Sequence, residues 1–132
     1  MITVIRDAWI VTQDEKRNIL KGDIVVDGDK IVSVGTKYKG DADNEIDASG
    51  DIVMPGMINT HTHVAMAPLK GICDDLLFPD FLNKVFKIDS DRTDWDLEMG
   101  AKLGCAEMMR GGTTTFVDLY YSEDVIAKAV QE

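Results

Sequence analysis

Apolar residues come in short, β-rich runs over the first half of the chain and at helical spacing over much of the second. Thr3-Val4-Ile5 and Trp9-Ile10-Val11-Thr12 are rich in β-branched and aromatic side chains and predict two strands, followed by a polar connection over residues 13–18. Asp23-Ile24-Val25-Val26, the turn formers Asp27-Gly28-Asp29 and the run Lys30-Ile31-Val32-Ser33-Val34-Gly35 then come in hairpin order. A polar stretch containing Gly40 leads to two more short strand signals, Glu45-Ile46-Asp47 and Asp51-Ile52-Val53-Met54, and Pro55-Gly56 breaks the pattern.

Beyond Pro55 the spacing changes. Residues 57–64 read as a strand, residues 65–77 as a long irregular loop, and residues 79–88 as a helix with Phe81, Leu82, Val85, Phe86 and Ile88 on one face. Thr93, with Asp96 three positions on, predicts a capping box for a second helix; Trp95, Met99, Leu103 and Ala106 recur along it until Gly111-Gly112 ends it. Residues 113–119 predict another strand, and Ser122, followed by Glu123 and Asp124, predicts the cap of a last helix. This order predicts parallel strands joined by helical crossovers, an α/β fold of the barrel or doubly wound kind.

The composition narrows the function. The 132 residues are 45% hydrophobic and 29% charged, as in a folded domain rather than a disordered segment. Fourteen basic against 24 acidic side chains leave a net charge of −10 with no basic run, which argues against nucleic acid or anionic lipid as a partner. No apolar run approaches the roughly 20 residues that span a bilayer. The first residues lack a basic segment followed by a long apolar one, and Cys73 and Cys105 are too few for a disulfide framework, so a reducing cytoplasm is the expected location.

Both histidines of the chain, His61 and His63, fall two residues apart on a predicted strand. Alternation along a strand sends both imidazoles to the same face, where they can converge on one ion. An isolated His-x-His also fits ordinary polar residues at a strand end. Here the pair lies near the C-terminal end of a strand in an α/β pattern, with a long loop after it, which is where such folds build active sites. Cys73 beside Asp74 and Asp75 offers soft and hard donors but reads more simply as a loop thiol, and Cys105 as packing on a helical stripe. Met99, Met108 and Met109 read as fillers of irregular core gaps. Asp118 ends a strand, where it can serve chemistry or fix a loop through backbone hydrogen bonds.

The run Pro55-Gly56-Met57-Ile58-Asn59-Thr60-His61-Thr62-His63 closely resembles the first-strand metal motif of the amidohydrolase superfamily. The likeness continues through Met66, Leu69-Lys70-Gly71, Asp74-Asp75-Leu76 and residues 107–118, and there it resembles the branch of S-adenosylhomocysteine and 5′-methylthioadenosine deaminases and related chlorohydrolases. The hairpin over residues 25–35 suits the small β-sandwich that such enzymes carry beside the barrel.

The resemblance implies a division into residues 1–54, part of a β-sandwich, and residues 55–132, the first βα units of an incomplete TIM (β/α)₈ barrel. It implies that His61 and His63 bind one divalent metal ion, zinc or alternatively iron, whose bound hydroxide attacks the amine-bearing ring carbon of an adenosine-like nucleoside. Phe81 stands where relatives often carry tryptophan, and Asp89 where they carry a glutamate that contacts nucleoside hydroxyls. These two are the expected substrate-binding residues, although Phe81 also reads as core packing and Asp89 as a solvated acid at a helix end. A complete barrel takes roughly 250 residues, so the remaining metal ligands and the catalytic acid and base are expected outside this chain. The 132 residues alone are expected to be inactive. The expected partners are a nucleoside-like small molecule, the missing C-terminal part of the same enzyme and, when complete, further copies of itself. Other amidohydrolases remain open at this point, among them guanine or cytosine deaminases, chlorohydrolases and imidazolonepropionases, as does a noncatalytic partner-binding module.

Overall fold

In the computed structural model, which describes residues 1–132, the β-rich runs of the first half form one five-stranded sheet. The two strands predicted over residues 3–5 and 9–12 are a single element, β1 (Ile2–Val11), whose pairing slips between Ile5 and Ala8. Asp7 has φ 54° in that slip, a left-handed state that a non-glycine residue keeps only where neighbours hold it. The hold is the Asp23 carboxylate. It is 3% exposed and accepts from the Asp7 N–H (3.1 Å), the Tyr38 N–H (2.9 Å) and the Arg6 guanidinium (3.0 Å). Burial alone would raise the Asp23 pKa; the Asp7, Tyr38 and Arg6 donors outweigh it and hold the carboxyl below the ordinary carboxylate range.

Strands β2 (Ile19–Asp27) and β3 (Lys30–Val34) form the predicted hairpin, with Asp27 opposite Lys30 and Gly28 at φ 59° in the turn. The sheet order is β3-β2-β1-β4, β4 being Asn44–Asp47, and β5 (Ile52–Val53) also pairs with β1. β1 runs antiparallel to β2 and parallel to both β4 and β5. Ala8, Ile10, Ile24 and Ala48 form the core of this part.

By its contacts the chain divides into two units, Met1–Pro55 and Gly56–Glu132. In the second, β6 (Met57–Thr62) and β7 (Thr113–Asp118) pair in parallel. Between them run a 3-10 segment, Val64–Leu69, and the helices α1 (Phe78–Asp89) and α2 (Asp94–Arg110); α3 (Glu123–Gln131) follows. The residues read as a wholly irregular loop thus contain an ordered turn of helix directly after His63. Its Val64 and Ala65 are buried against Leu97, Ala101, Val125, Ile126 and Ala129.

Helix α2 has the predicted capping box: Thr93 Oγ1 accepts from the Asp96 N–H, and the Asp96 side chain accepts from the Thr93 N–H at 2.8 Å. Its buried face is not the predicted stripe. Trp95 is 66% and Leu103 45% exposed, while Leu97, Gly100, Ala101 and Gly104 are buried. The reason is close approach to the 3-10 segment. A Cβ on Gly100 would lie 2.4 Å from the Ala65 carbonyl oxygen, and one on Gly104 2.7 Å from that of Val64. Met109 is likewise exposed rather than a gap filler, whereas Met108 packs on the core. Ser122 precedes α3 but has φ 50° and makes no capping bond, because an N-cap hydroxyl reaches the helix from extended backbone.

Candidate functional site

His61 lies near the end of β6 and His63 at its junction with the 3-10 segment. Their ring centroids are 5.2 Å apart, with the planes at 83°. A zinc–nitrogen bond of about 2.0–2.1 Å puts an imidazole centroid about 3.2 Å from the ion, so two rings at a tetrahedral angle lie about 5.2 Å apart. The observed separation therefore fits two imidazoles on one ion. His63 is also oriented as a ligand should be. Its Nδ1 lies 2.6 Å from the Leu119 carbonyl oxygen. A carbonyl can only accept, so Nδ1 is the donor in this bond and Nε2 is the ring nitrogen left for a metal. The His61 N–H is bound by Asn59 Oδ1 at 3.2 Å, which stiffens the strand end.

Asp118, opposite Thr62 across the β6–β7 pair, fixes the same region. One carboxylate oxygen accepts from the Val64 N–H at 2.8 Å; the other, Oδ2, is buried without a partner. No cluster of three or more His, Cys, Asp or Glu side chains able to hold a metal ion forms within the chain. The residues present thus supply two nitrogen donors, and the further ligands of a closed or catalytic site would come from elsewhere.

A cavity of about 410 Å³ is lined by Asn59, His63, Met66, Phe81 and Asp74, among others. Phe81 and His63 thus share one cavity. Asp89 does not line it. Its side chain is 6% exposed and takes Arg92 Nη1 at 3.2 Å and the Tyr120 hydroxyl. The Lys70–Glu107 ion pair is also at the cavity wall. Cys73 lines it too and is 5% exposed, whereas Cys105 lies on α2 beside the core, where burial and then the Asp118 charge push its thiol pKa up. Leu119 and Tyr120 were not singled out by the sequence reading. An imidazole anchored on a backbone carbonyl leaves no mark on the identity of its partner, and Tyr120 carries no motif of its own.

Residues 52–132 match the amidohydrolase family, and the chain belongs to it. Its α/β architecture is that of the N-terminal part of amidohydrolase TIM-barrel enzymes, first βα units included. Among its relatives, a 5'-deoxyadenosine deaminase of Methanosarcina mazei is 42% identical over 130 residues, 97% of this chain and 30% of that protein. A 5-methylthioadenosine/S-adenosylhomocysteine deaminase of Thermococcus sibiricus is 38% identical over 133 residues, 100% of this chain and 31% of that protein. Among solved structures, an adenosine deaminase from Xanthomonas campestris with bound zinc superposes with a TM-score of 0.87 at 25% identity, over 98% of this chain and 31% of that one. An atrazine chlorohydrolase from Arthrobacter aurescens TC1 in complex with zinc gives 0.86 at 26% identity, over 98% and 33%. The chain spans about 30% of the length of the curated relatives it matches. No helix is long and apolar enough to cross a membrane.

Proposed function

We propose that this chain is the N-terminal portion of a metal-dependent hydrolytic deaminase of adenosine-like nucleosides, with His61 and His63 as two ligands of one divalent ion, zinc or alternatively iron. The observation that carries the reading is the pair of rings 5.2 Å apart, with His63 anchored through Nδ1 on a backbone carbonyl. The amine-bearing purine as substrate is supported by the deaminases of 5'-deoxyadenosine and of 5-methylthioadenosine/S-adenosylhomocysteine among its relatives. Held by His61 and His63 together with ligands from the rest of the protein, such an ion would supply Lewis acidity that lowers the pKa of a water toward neutrality.

The chain's own residues bind and orient. His61, on β6, and His63, just after it, bring their rings together, Leu119 holds the His63 tautomer, and Phe81 offers an aromatic wall in the cavity that His63 also lines. Asp89 can accept from paired nucleoside hydroxyls only through lone pairs left free by Arg92 and Tyr120, since both of its oxygens are already engaged. The first unit is read as part of a β-sandwich, the second as the opening of the barrel. The partners of the complete protein are then the substrate, the rest of the barrel and further copies of the protein, and its location the cytoplasm.

The test is a chimera in which this chain replaces the matching N-terminal segment of the Methanosarcina mazei relative, assayed for ammonia release. Turnover of 5′-deoxyadenosine or 5′-methylthioadenosine in preference to guanine, cytosine and chlorotriazines is expected, with loss of at least a hundredfold on His61→Ala or His63→Ala. A folded chimera that prefers chlorotriazines would move the assignment to a chlorohydrolase, and one indifferent to both histidine substitutions would refute the metal role.

A further inference from the structure

His63 is gripped from the segment that follows β7 by a chain of polar contacts that reaches the junction of α1 and α2. The Leu119 carbonyl that receives its Nδ1–H belongs to a residue whose own N–H donates to the Thr62 carbonyl at 3.3 Å. The next residue, Tyr120, lays its ring against that of His63, centroids 5.9 Å apart and planes at 41°. The Tyr120 N–H donates to Glu123 Oε1 at 2.6 Å, and its hydroxyl donates to Asp89 Oδ2. Asp89 is held in turn by Arg92, and the Arg92 guanidinium donates to the Ala65 carbonyl at 2.6 Å and the Asp96 carbonyl at 3.1 Å. The Asp89 and Arg92 side chains are only 6% and 9% exposed, so water competes little for these bonds.

We propose that Tyr120, fastened by Asp89 and Arg92, is a positioning residue for His63: it fixes the plane of the imidazole and keeps the Leu119 carbonyl on Nδ1, so that Nε2 faces the ion. This rests on the reading of His63 as a metal ligand and adds to it the residues that set the ligand's geometry. It also gives Asp89 a role independent of any contact with substrate. Groups behind a histidine ligand select its tautomer and orientation, and losing them weakens metal binding about ten- to a hundredfold. Tyr120 is suited to the task. Its hydroxyl faces the Asp89 carboxylate oxygen, which can only accept, so the phenol is fixed as the donor.

The experiment compares the full chain with Tyr120→Phe, Asp89→Asn and, as control, Tyr121→Phe, whose residue is exposed. Imidazole ¹⁵N shifts of the metal-free chains report the His63 tautomer, and competition of the corresponding chimeras with a chromophoric chelator reports Zn²⁺ affinity where the remaining ligands are present. The proposal expects a single Nδ1–H tautomer in the wild type and a mixture in Tyr120→Phe and Asp89→Asn. It also expects about tenfold weaker Zn²⁺ binding in both variants, unchanged circular dichroism and a silent control. Wild-type tautomer and affinity in both variants would overturn the positioning role while leaving the ligand reading intact. In the chimera with the Methanosarcina mazei relative, which supplies the further ligands, a zinc content unchanged by His61→Ala and His63→Ala would overturn the ligand reading and the proposal with it. If Tyr120→Phe loses its fold, Asp89→Asn decides alone, because it keeps the side chain's shape.

Discussion

Single side chains set the two most constrained points of the molecule. At the first, Asp23 holds a non-glycine left-handed residue, Asp7, in place through the Asp7 N–H and neutralises Arg6. Asp23→Asn removes the charge that Arg6 and two backbone donors face, and is expected to cost about 1–3 kcal/mol of stability at neutral pH in urea unfolding. The folded-state pKa of Asp23 is depressed, so its contribution is full above the unfolded carboxylate value of about 3.9 and is lost as pH falls through the lower folded value. The wild type is therefore expected to lose stability on acidification below about pH 4. Asp23→Asn should show a shallower loss there, and parallel curves would contradict the account. At the second point, the His61–His63 spacing is legible in the sequence, but the strand ends at Thr62, so the 5.2 Å approach of the two rings also depends on the junction that holds His63. The anchor of His63 is not legible, since its partner is a main-chain oxygen 56 positions away.

Among the elements, helix α2 shows best what pattern reading captures and what it misses. Its existence and start follow from Thr93 and Asp96, and the capping box forms as those residues require. Its buried face does not follow from hydrophobicity. Trp95, Leu103 and Met109 lie outward while Leu97 points in, and the helix meets the 3-10 segment through Gly100 and Gly104, because closeness of backbones rather than side-chain area decides the contact. Gly100→Ala raises intrinsic helix propensity by about 1 kcal/mol. It is nonetheless expected to destabilise by about 1–3 kcal/mol, since the new methyl meets the Ala65 carbonyl. Trp95→Ala, on the exposed face, is expected to stay within about 0.5 kcal/mol. Thermal unfolding of the two variants checks this, and the reverse ranking would mean that the predicted stripe is the buried one after all.

For the molecule as a whole, the order of strands and helices and the parallel β6–β7 pairing were readable from the chain, because the alternation of β-rich runs with helical spacing leaves few topologies. The division near Pro55 was marked by a Pro-Gly break. The slip within β1 and the turn of helix after His63 were not readable, since both depend on hydrogen bonds between distant segments. Ile58 and Val117 on the β6–β7 pair and Leu119 directly after it are 65%, 57% and 74% exposed. Paired strands that leave such side chains and an open edge uncovered are prone to associate. Light scattering of the isolated chain is expected to show concentration-dependent association, reduced by Ile58→Thr with Val117→Thr; a strictly monomeric wild type would contradict it. The central claim, that His61 and His63 act as one binding unit, is tested most directly by titrating the chimera, which supplies the further ligands, with Zn²⁺ while following both imidazoles by NMR. The account predicts that the two rings respond along a single saturation curve and that His61→Ala abolishes the response of His63. Independent curves, or a His63 response that survives loss of His61, would contradict it.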